Sequence, residues 1–406
     1  MFPFARLFAL LLLPAALTAA EWDQWRGPGR DARVESLPAS LDGLIKQWSA
    51  ELGPSYSGPV ADESRVYTTM TEDKAREVVI ALDRRTGDEV WRTTWDGAMS
   101  VPFFAASNGS WIRATPALAG GRLYVAGMTD LLVCLHAATG DEVSRRDFAA
   151  DSGEGLPQFG NVASPLVREG LVYVQSGDAV QALDAATGET KWTALPEPGG
   201  RNEGAFSSPA VAEDAPGGPQ VLVQTRKTLA GLDPSSGEVL WQTPVEAFRG
   251  MNILTPLHRV VNGDLQVFTS TYGGGSTLFG VSGGRGEVAT LWTAKPQGYM
   301  SSPVLVGERL VLHLRNQRAT ALDWSTGEVA WTSRPFGKYW SMLTDGTGVV
   351  ALDSGGRLLR VDPAGEEMTV LEERPAGETE TWAHLAWDGR QLFVRRLDGL
   401  DAYAAE

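Results

Sequence analysis

Ala321-Leu322-Asp323-Trp324-Ser325-Thr326-Gly327-Glu328-Val329-Ala330-Trp331 is the clearest copy of a phrase that recurs through the chain. Near-copies run from Ala81 to Trp91, Ala182 to Trp192 and Gly231 to Trp241. A copy from Cys134 to Ser144 has lost its tryptophan, and weaker echoes lie at Gly280–Trp292, where the turn reads as longer, and Arg360–Leu371. Successive copies are spaced by 39 to 53 residues, the period of a repeat architecture. Each phrase reads as a hairpin. A β-prone run ends at Asp, whose carboxylate can bond the turn backbone, Thr/Ser-Gly supplies positive φ, and a Val/Leu-x-Trp run leaves the turn.

Upstream of most copies lies a second hairpin, as at Gly121–Val125, Gly170–Val174 and Gly307–Val311. In front of that stands Ser/Thr-Pro: Thr115-Pro116, Ser164-Pro165, Ser208-Pro209, Thr255-Pro256 and Ser302-Pro303. Four short antiparallel strands per unit describe the blade of a β-propeller. The fold class is therefore all-β. The units fall near 55–95, 113–147, 161–194, 205–243, 252–294, 300–333 and 339–373. An eighth is composite: 44–52 resembles a last strand with nothing before it, and 382–405 resembles early strands with nothing after. Closure of one blade by both termini removes the free edges. Seven blades remains the alternative if the unit around Val361 is not a blade. Trp91, Trp192, Trp241, Trp292 and Trp331 close their phrases and read as packing between adjacent blades. Asp83, Asp184, Asp233 and Asp323 read as turn residues, since they recur with the turn.

Residues 1–20 have the look of a cleaved signal peptide: Arg6, an apolar run from Leu7 to Leu17, then Thr18-Ala19-Ala20. No later apolar run is long enough for a membrane helix, so the expected location is periplasmic or secreted. Residues 21–43 form an N-terminal arm, with Trp22-Asp23-Gln24-Trp25-Arg26-Gly27-Pro28-Gly29-Arg30 either packing Trp22 and Trp25 on the propeller or set as a plug or lip at the channel mouth. Residues 44–406 are the propeller. A net charge of −15 is a poor match for nucleic acid. The single cysteine, Cys134, excludes an internal disulfide, and the four histidines are scattered, so neither a metal nor a catalytic set is expected.

The innermost strands converge on the channel, and residues beside the Ser/Thr-Pro phrases form a candidate binding ring at its mouth: Arg113, Asn161, Phe206, Asn252, Tyr339, Trp340, Trp382 and His384. That mixture suits a protein, peptide or glycan partner. The long linkers 98–110 and 149–160 are candidate lips, with Trp111, Phe159, Phe248 and Arg249 as contacts. The structural alternative is that such Ser, Thr and Asn residues tie strand ends together.

The phrase Ala-Leu-Asp-x-x-Thr-Gly-Glu-x-x-Trp resembles the quinoprotein-type (pyrroloquinoline-quinone-like) propeller repeat. Overall the chain is most similar to the non-enzymatic branch of that family, which includes the barrel-assembly scaffold of the outer membrane. Trp22 to Arg30 resembles the opening of secreted planctomycete-type propellers. The resemblance implies a toroidal fold over residues 22–405 and a binding or scaffolding role without cofactor. The enzymatic branch implies a quinone stacked on an adjacent-cysteine disulfide and a calcium ion, and no position here matches that set. A quinone- or metal-dependent oxidoreductase acting on alcohols or sugars is the alternative.

Overall fold

The structure, a computed structural model, describes residues 22–153, 156–197, 206–377 and 379–405. The signal-like residues 1–20 lie outside this range, as do parts of the second long linker and of the approach to the fourth unit. Eight four-stranded antiparallel sheets form the propeller. Seven are built from consecutive strands, beginning at Val60–Ala61, Ala117–Ala119, Leu166–Arg168, Ala210–Ala212, Leu257–Val261, Val304–Val306 and Trp340–Thr344. The eighth joins Ala386–Trp387, Gln391–Arg396 and Gly399–Ala405 to Leu44–Glu51, with Leu44 opposite Ala405 and Glu51 opposite Gly399. The ring is closed by both ends of the chain. The unit around Val361 is a full blade, so the count is eight and not seven.

In every blade the outermost strand carries one extra residue. Such a bulge re-aims the side chain that follows it. Here that position is Trp48, Trp91, Ser144, Trp192, Trp241, Trp292, Trp331 and Glu372 in turn around the ring. The seventh phrase was expected to end on Leu371, but Leu371 is the bulged residue, and Glu372 pairs with Arg360 in the tryptophan slot. The fifth blade also differs from expectation. Its hairpin arms are longer beyond the bulge, through Gly280↔Ala289 and Val281↔Val288, while its turn still closes with the Gly286 amide on the Ser282 carbonyl.

The slot explains the glycine of the phrase. Each indole lies on the turn of the next blade: a Cβ on Gly87, Gly140, Gly237 or Gly327 would stand 2.5–2.6 Å from the ring of Trp48, Trp91, Trp192 or Trp292. These glycines also hold φ between +73° and +78°, which side chains adopt only under strain. The indole N–H then donates to a carbonyl of that turn: Trp48 to Arg84 at 2.8 Å, Trp91 to Ala137 at 3.0 Å, Trp192 to Pro234 at 3.0 Å, Trp331 to Pro363 at 2.9 Å. Trp241 reaches the longer fifth blade through a relay, donating to Gln220 Oε1 (2.7 Å) while Gln220 Nε2 donates to the Gly284 carbonyl (2.6 Å). The aspartates sit in the turns themselves. Asp83, Asp184, Asp233 and Asp323 each accept two turn amides through Oδ1 at 2.9–3.1 Å.

The Ser/Thr-Pro phrase has an equally local reason. Around the channel the hydroxyl of one blade accepts the amide of the preceding blade: Gly58 to Thr115, Thr115 to Ser164, Ser164 to Ser208 and Thr255 to Ser302, at 2.9–3.1 Å. The proline carbonyls are left facing the axis, and the N-terminal segment satisfies them from inside. Arg30 donates to the carbonyls of Pro209 (2.6 Å), Pro165 (2.8 Å) and Ser164 (3.0 Å), and Arg26 donates to that of Pro303. The backbone of Trp22, Asp23 and Ala32 bonds Ala61, Leu118 and Thr344, and Trp25 Nε1 donates to Thr255 Oγ1 at 3.0 Å. The segment therefore hydrogen-bonds seven blades and meets the eighth through the Trp25 ring against His384. Trp22 and Trp25 pack on the propeller as expected, Trp22 within the hydrophobic core, and the segment is seated as a plug inside the channel and not as a lip at its mouth.

Candidate functional site

Above the plug the channel opens into a cavity of about 390 Å³, with Trp25 as its floor. Its wall is a set of aromatic arcs supplied by loops of successive blades. Tyr56 stacks on Trp382 (5.0 Å between centroids, 17°), and Tyr339 continues the stack at 6.1 Å. Opposite, Phe104 meets Phe159 and Phe159 meets Phe206, edge to face at 6.2 and 5.9 Å. Phe248, Tyr272 and Tyr299 form a third arc, with the Arg315 guanidinium 4.4 Å from the Tyr272 ring.

Four of the expected ring residues, Arg113, Phe206, Tyr339 and Trp382, line this cavity. The other four do not reach it, because their side chains are taken up in holding the blades. Asn161 donates to Asp130 and Ser176 and accepts the Ala163 amide. Asn252 donates to the carbonyls of Thr225 and Arg226. Trp340 is fully buried between His313 and Phe336. His384 lies below the floor, edge-on to Trp25 at 4.3 Å and bonded to Ser341 Oγ at 3.1 Å. Burial and then the nearby Arg26 push its pKa well down, so the ring is neutral.

Phe159 and Phe248 line the cavity, whereas Trp111 and Arg249 do not. Tyr56 was missed because the first blade writes the phrase as Ser57-Gly58-Pro59; its phase before the proline was the available signal. Tyr272 stands on the Tyr272-Gly273-Gly274 turn, outside the Ser/Thr-Pro phase altogether. The lip 98–110 folds partly as a 3₁₀ turn, Phe103–Asn108, which holds Phe103 96% and Phe104 69% exposed. The other large exposed hydrophobics, apart from Phe248, lie on outermost strands (Ile45, Val90, Val239, Leu291, Val329 and Leu371). Exposed aromatic surface is thus concentrated at the mouth.

The adjacent-cysteine disulfide and the metal set of the quinone enzymes have no counterpart at this cavity among the described residues. Cys134 is buried in the contact of the second and third blades, away from the cavity. Among the described residues no group of three or more His, Cys, Asp or Glu is placed to hold a metal ion.

Comparison with known proteins agrees with the architecture. A family model described as outer membrane protein assembly factor BamB matches residues 74–333. The BamB of Yersinia pestis is 22% identical over 298 residues, covering 72% of this chain and 68% of that protein. A quinohemoprotein alcohol dehydrogenase of Comamonas testosteroni is 30% identical over 176 residues, but these are 42% of this chain and 24% of the enzyme. The crystal structure of BamB from Moraxella catarrhalis superposes with a TM-score of 0.62 at 15% identity, covering 89% of this chain and 97% of that one, which speaks for the fold. With the family model spanning well over half of it, the chain belongs to the family of the outer membrane protein assembly factor BamB.

Proposed function

We propose that the protein is a non-catalytic scaffold of the bacterial envelope that holds a protein segment against its aromatic mouth, in the service of outer-membrane protein assembly. The observation that carries this reading is the cavity together with its lips: a concave aromatic wall edged by the exposed Phe103, Phe104 and Phe248. Exposed apolar surface beside a pocket is the usual mark of a protein contact, and aromatic side chains dominate the energy of such contacts. Membership of the outer membrane protein assembly factor family and the signal-like residues 1–20 support the periplasmic setting. No helix among the described residues is long and apolar enough to cross a membrane.

The test is site-directed photo-cross-linking in the native envelope. A photoreactive residue at Phe104 should give a discrete adduct with an outer-membrane assembly protein or its client, and one at Val329, on an outermost strand, should not. Equal labelling from both positions, or none from Phe104, would refute the reading.

A further inference from the structure

Two of the eight slots between blades carry no tryptophan, and they differ. In the seventh blade Glu372 is met from across the contact. Its Oε2 accepts the Leu41 amide (2.6 Å) and the Ser40 hydroxyl (2.8 Å), and its Oε1 accepts Arg360 Nη1 at 2.8 Å. Polar contacts close that slot. In the second blade the slot stays open: between Ser144 and the turn of the third blade lies a hollow of about 180 Å³, lined by Tyr124, Cys134, Val172, Leu183 and Gly188 among others. A Cβ on Gly188 would meet only the Ser144 side chain, at 3.3 Å, where a Cβ on Gly87, Gly140, Gly237 or Gly327 would meet an indole at 2.5–2.6 Å. Phe148 belongs to the same buried cluster as Tyr124, Cys134 and Leu183 but does not line the hollow.

Every other part of the slot is in place. Gly188 holds φ +75°, and Asp184 fixes the turn by accepting the amides of Ala186 (2.9 Å) and Thr187 (3.0 Å). The floor is apolar, and the hollow opens to solvent between Thr187 and Glu189, both exposed. The turn carbonyl is already satisfied. In the first blade Ala137 accepts Trp91 Nε1 at 3.0 Å and Arg65 Nη1 at 3.3 Å; in the second Ala185 accepts Tyr124 Oη at 2.8 Å and Arg122 Nη1 at 2.6 Å, so Arg122 has taken the place of the indole donor. The slot therefore lacks the surface of a ring and not a hydrogen bond. An apolar cavity of about 150 Å³ takes up benzene, so this hollow has room for a flat ring. The charges around the opening are paired, Arg145 with Glu142 (2.6 Å), Arg146 with Asp151 (2.6 Å) and Asp184 with Lys191 (3.1 Å), which leaves those cations engaged and disfavours an acid.

We propose that this slot is a binding site for a small uncharged arene of indole size, which lies on Gly188 and completes the contact of the second and third blades. Six slots of the same ring show that the geometry takes an indole. In those six the outermost strand is the backbone that carries the ring; here the same strand runs past with Ser144, so a ring tethered to a second backbone is hindered and a free one is not. The site lies between outer strands, away from the mouth, and does not depend on the reading of the mouth.

Cys134 is the single cysteine of the chain and lines the hollow, so its modification reports occupancy. The experiment measures the rate at which methyl methanethiosulfonate modifies it in the purified protein, with and without indole at about 5 mM. Indole should slow the reaction at least twofold. Cyclohexanol, which is not flat, and indole-3-acetate, which is charged, should leave the rate nearly unchanged at the same concentration. Melting is the second readout, and it decides alone if the thiol does not react. Indole should raise the Tm of wild type by about 1 °C. It should not raise that of Ser144→Trp, whose own ring fills the slot, or that of Cys134→Leu, which fills it from the floor; the second variant keeps the proposal testable if the first does not fold. An equal effect of indole on wild type and variants, or a reactive Cys134 that indole does not protect, overturns the proposal. Equal protection by a five-residue peptide with a central tryptophan overturns it as well, since the slot would then belong to a partner's side chain.

Discussion

Ser144→Trp should stabilise the protein. Ser144 occupies the slot that six of the eight blades fill with tryptophan, and its side chain stops 3.3 Å from the Cβ position of Gly188, a glycine with φ +75° kept clear as if for an indole. The missing ring leaves a hollow of about 180 Å³ lined by Cys134, Ser144, Leu183, Ala185 and Gly188, among others. A buried indole removes about 200 Å² from water, worth about 5 kcal/mol at 25 cal/mol per Å². The slot is open on its solvent side, so about half of that is available, and fixing the side chain costs about 1 kcal/mol. One further term opposes the substitution. The Ala185 carbonyl, counterpart of the indole acceptors elsewhere, already accepts Arg122 Nη1 (2.6 Å) and Tyr124 Oη (2.8 Å), and displacing one costs some tenths to about 1 kcal/mol. The net expectation is a gain of about 1 kcal/mol. With an unfolding entropy of about 2.1 cal/mol/K per residue, a chain of this length gains 1–2 °C in Tm. Scanning calorimetry at matched scan rates is the assay. Trp91→Ser is the opposite control and should cost about 3–5 kcal/mol. A fall in Tm on Ser144→Trp would refute the claim that the phrase encodes an inter-blade lock whose parts are interchangeable around the ring.

Two further outcomes follow from the buried charges. Arg30→Met should destabilise the fold by about 2–4 kcal/mol in chemical denaturation, because three axial carbonyls lose their donor, while relief of a buried charge returns part of the loss; burial holds that guanidinium down at about 9. Glu77, fully buried between the first two blades, has its carboxyl pushed up to about 7 by burial, against the Met128 amide and the Trp95 indole, which donate to it. The fold then binds this proton more tightly than the unfolded chain, whose pKa is 4.5, so stability falls as pH rises from about 4.5 through 7, by up to about 3 kcal/mol. His313 acts in the opposite sense: burial lowers its pKa to about 4, so stability is lost as pH falls below 6.5. Melting curves of wild type and Glu77→Gln from pH 5 to 8 separate the two, and Glu77→Gln should remove the decline on the alkaline side.

What the sequence made legible was what is local or periodic. The Asp-x-x-Thr-Gly turn is a contact of residues two to four apart, so four strong copies were enough to set the blade and its period. Closure by 44–52 and the C-terminal strands was readable because each fragment lacked what the other supplied. The errors lie where one residue shifts the register. The bulge puts Glu372, not Leu371, in the seventh slot, and a strand with one residue inserted looks the same as one without it until its partner is known. Asn161 and Asn252 are one residue out of phase: they stand four before their prolines, whereas the lining residues Tyr56, Arg113, Val162, Phe206, Ile253 and Met300 stand three before theirs, and the seventh and eighth units, with Trp340 and His384, have no proline to set the count. Arg26 and Arg30 look like surface charge in the sequence; only the carbonyls of distant blades make an interior place for them.

The plug joins the two halves of this molecule's physics. Six of the eight inner strands follow a proline, and the carbonyls of Pro165, Pro209 and Pro303 are turned toward the N-terminal segment. Arg26 and Arg30 supply the donors: the Arg30 fork spans carbonyls of the third and fourth blades, and Arg26 joins the Pro303 carbonyl to that of Asp31 in the segment itself. The same segment carries Trp25 to the base of the aromatic mouth, held by Thr255 and set against the neutral His384. The floor of the site is therefore not part of any blade. Its height depends on how the arginines are seated, whereas the walls depend on loops that also tie neighbouring blades, through Ser208, Ser302 and the Tyr56–Trp382–Tyr339 stack. Substitution of the exposed Phe104 or Phe248 can retune the mouth without loosening the ring, but a substitution that unseats the plug must change stability and the depth of the cavity together.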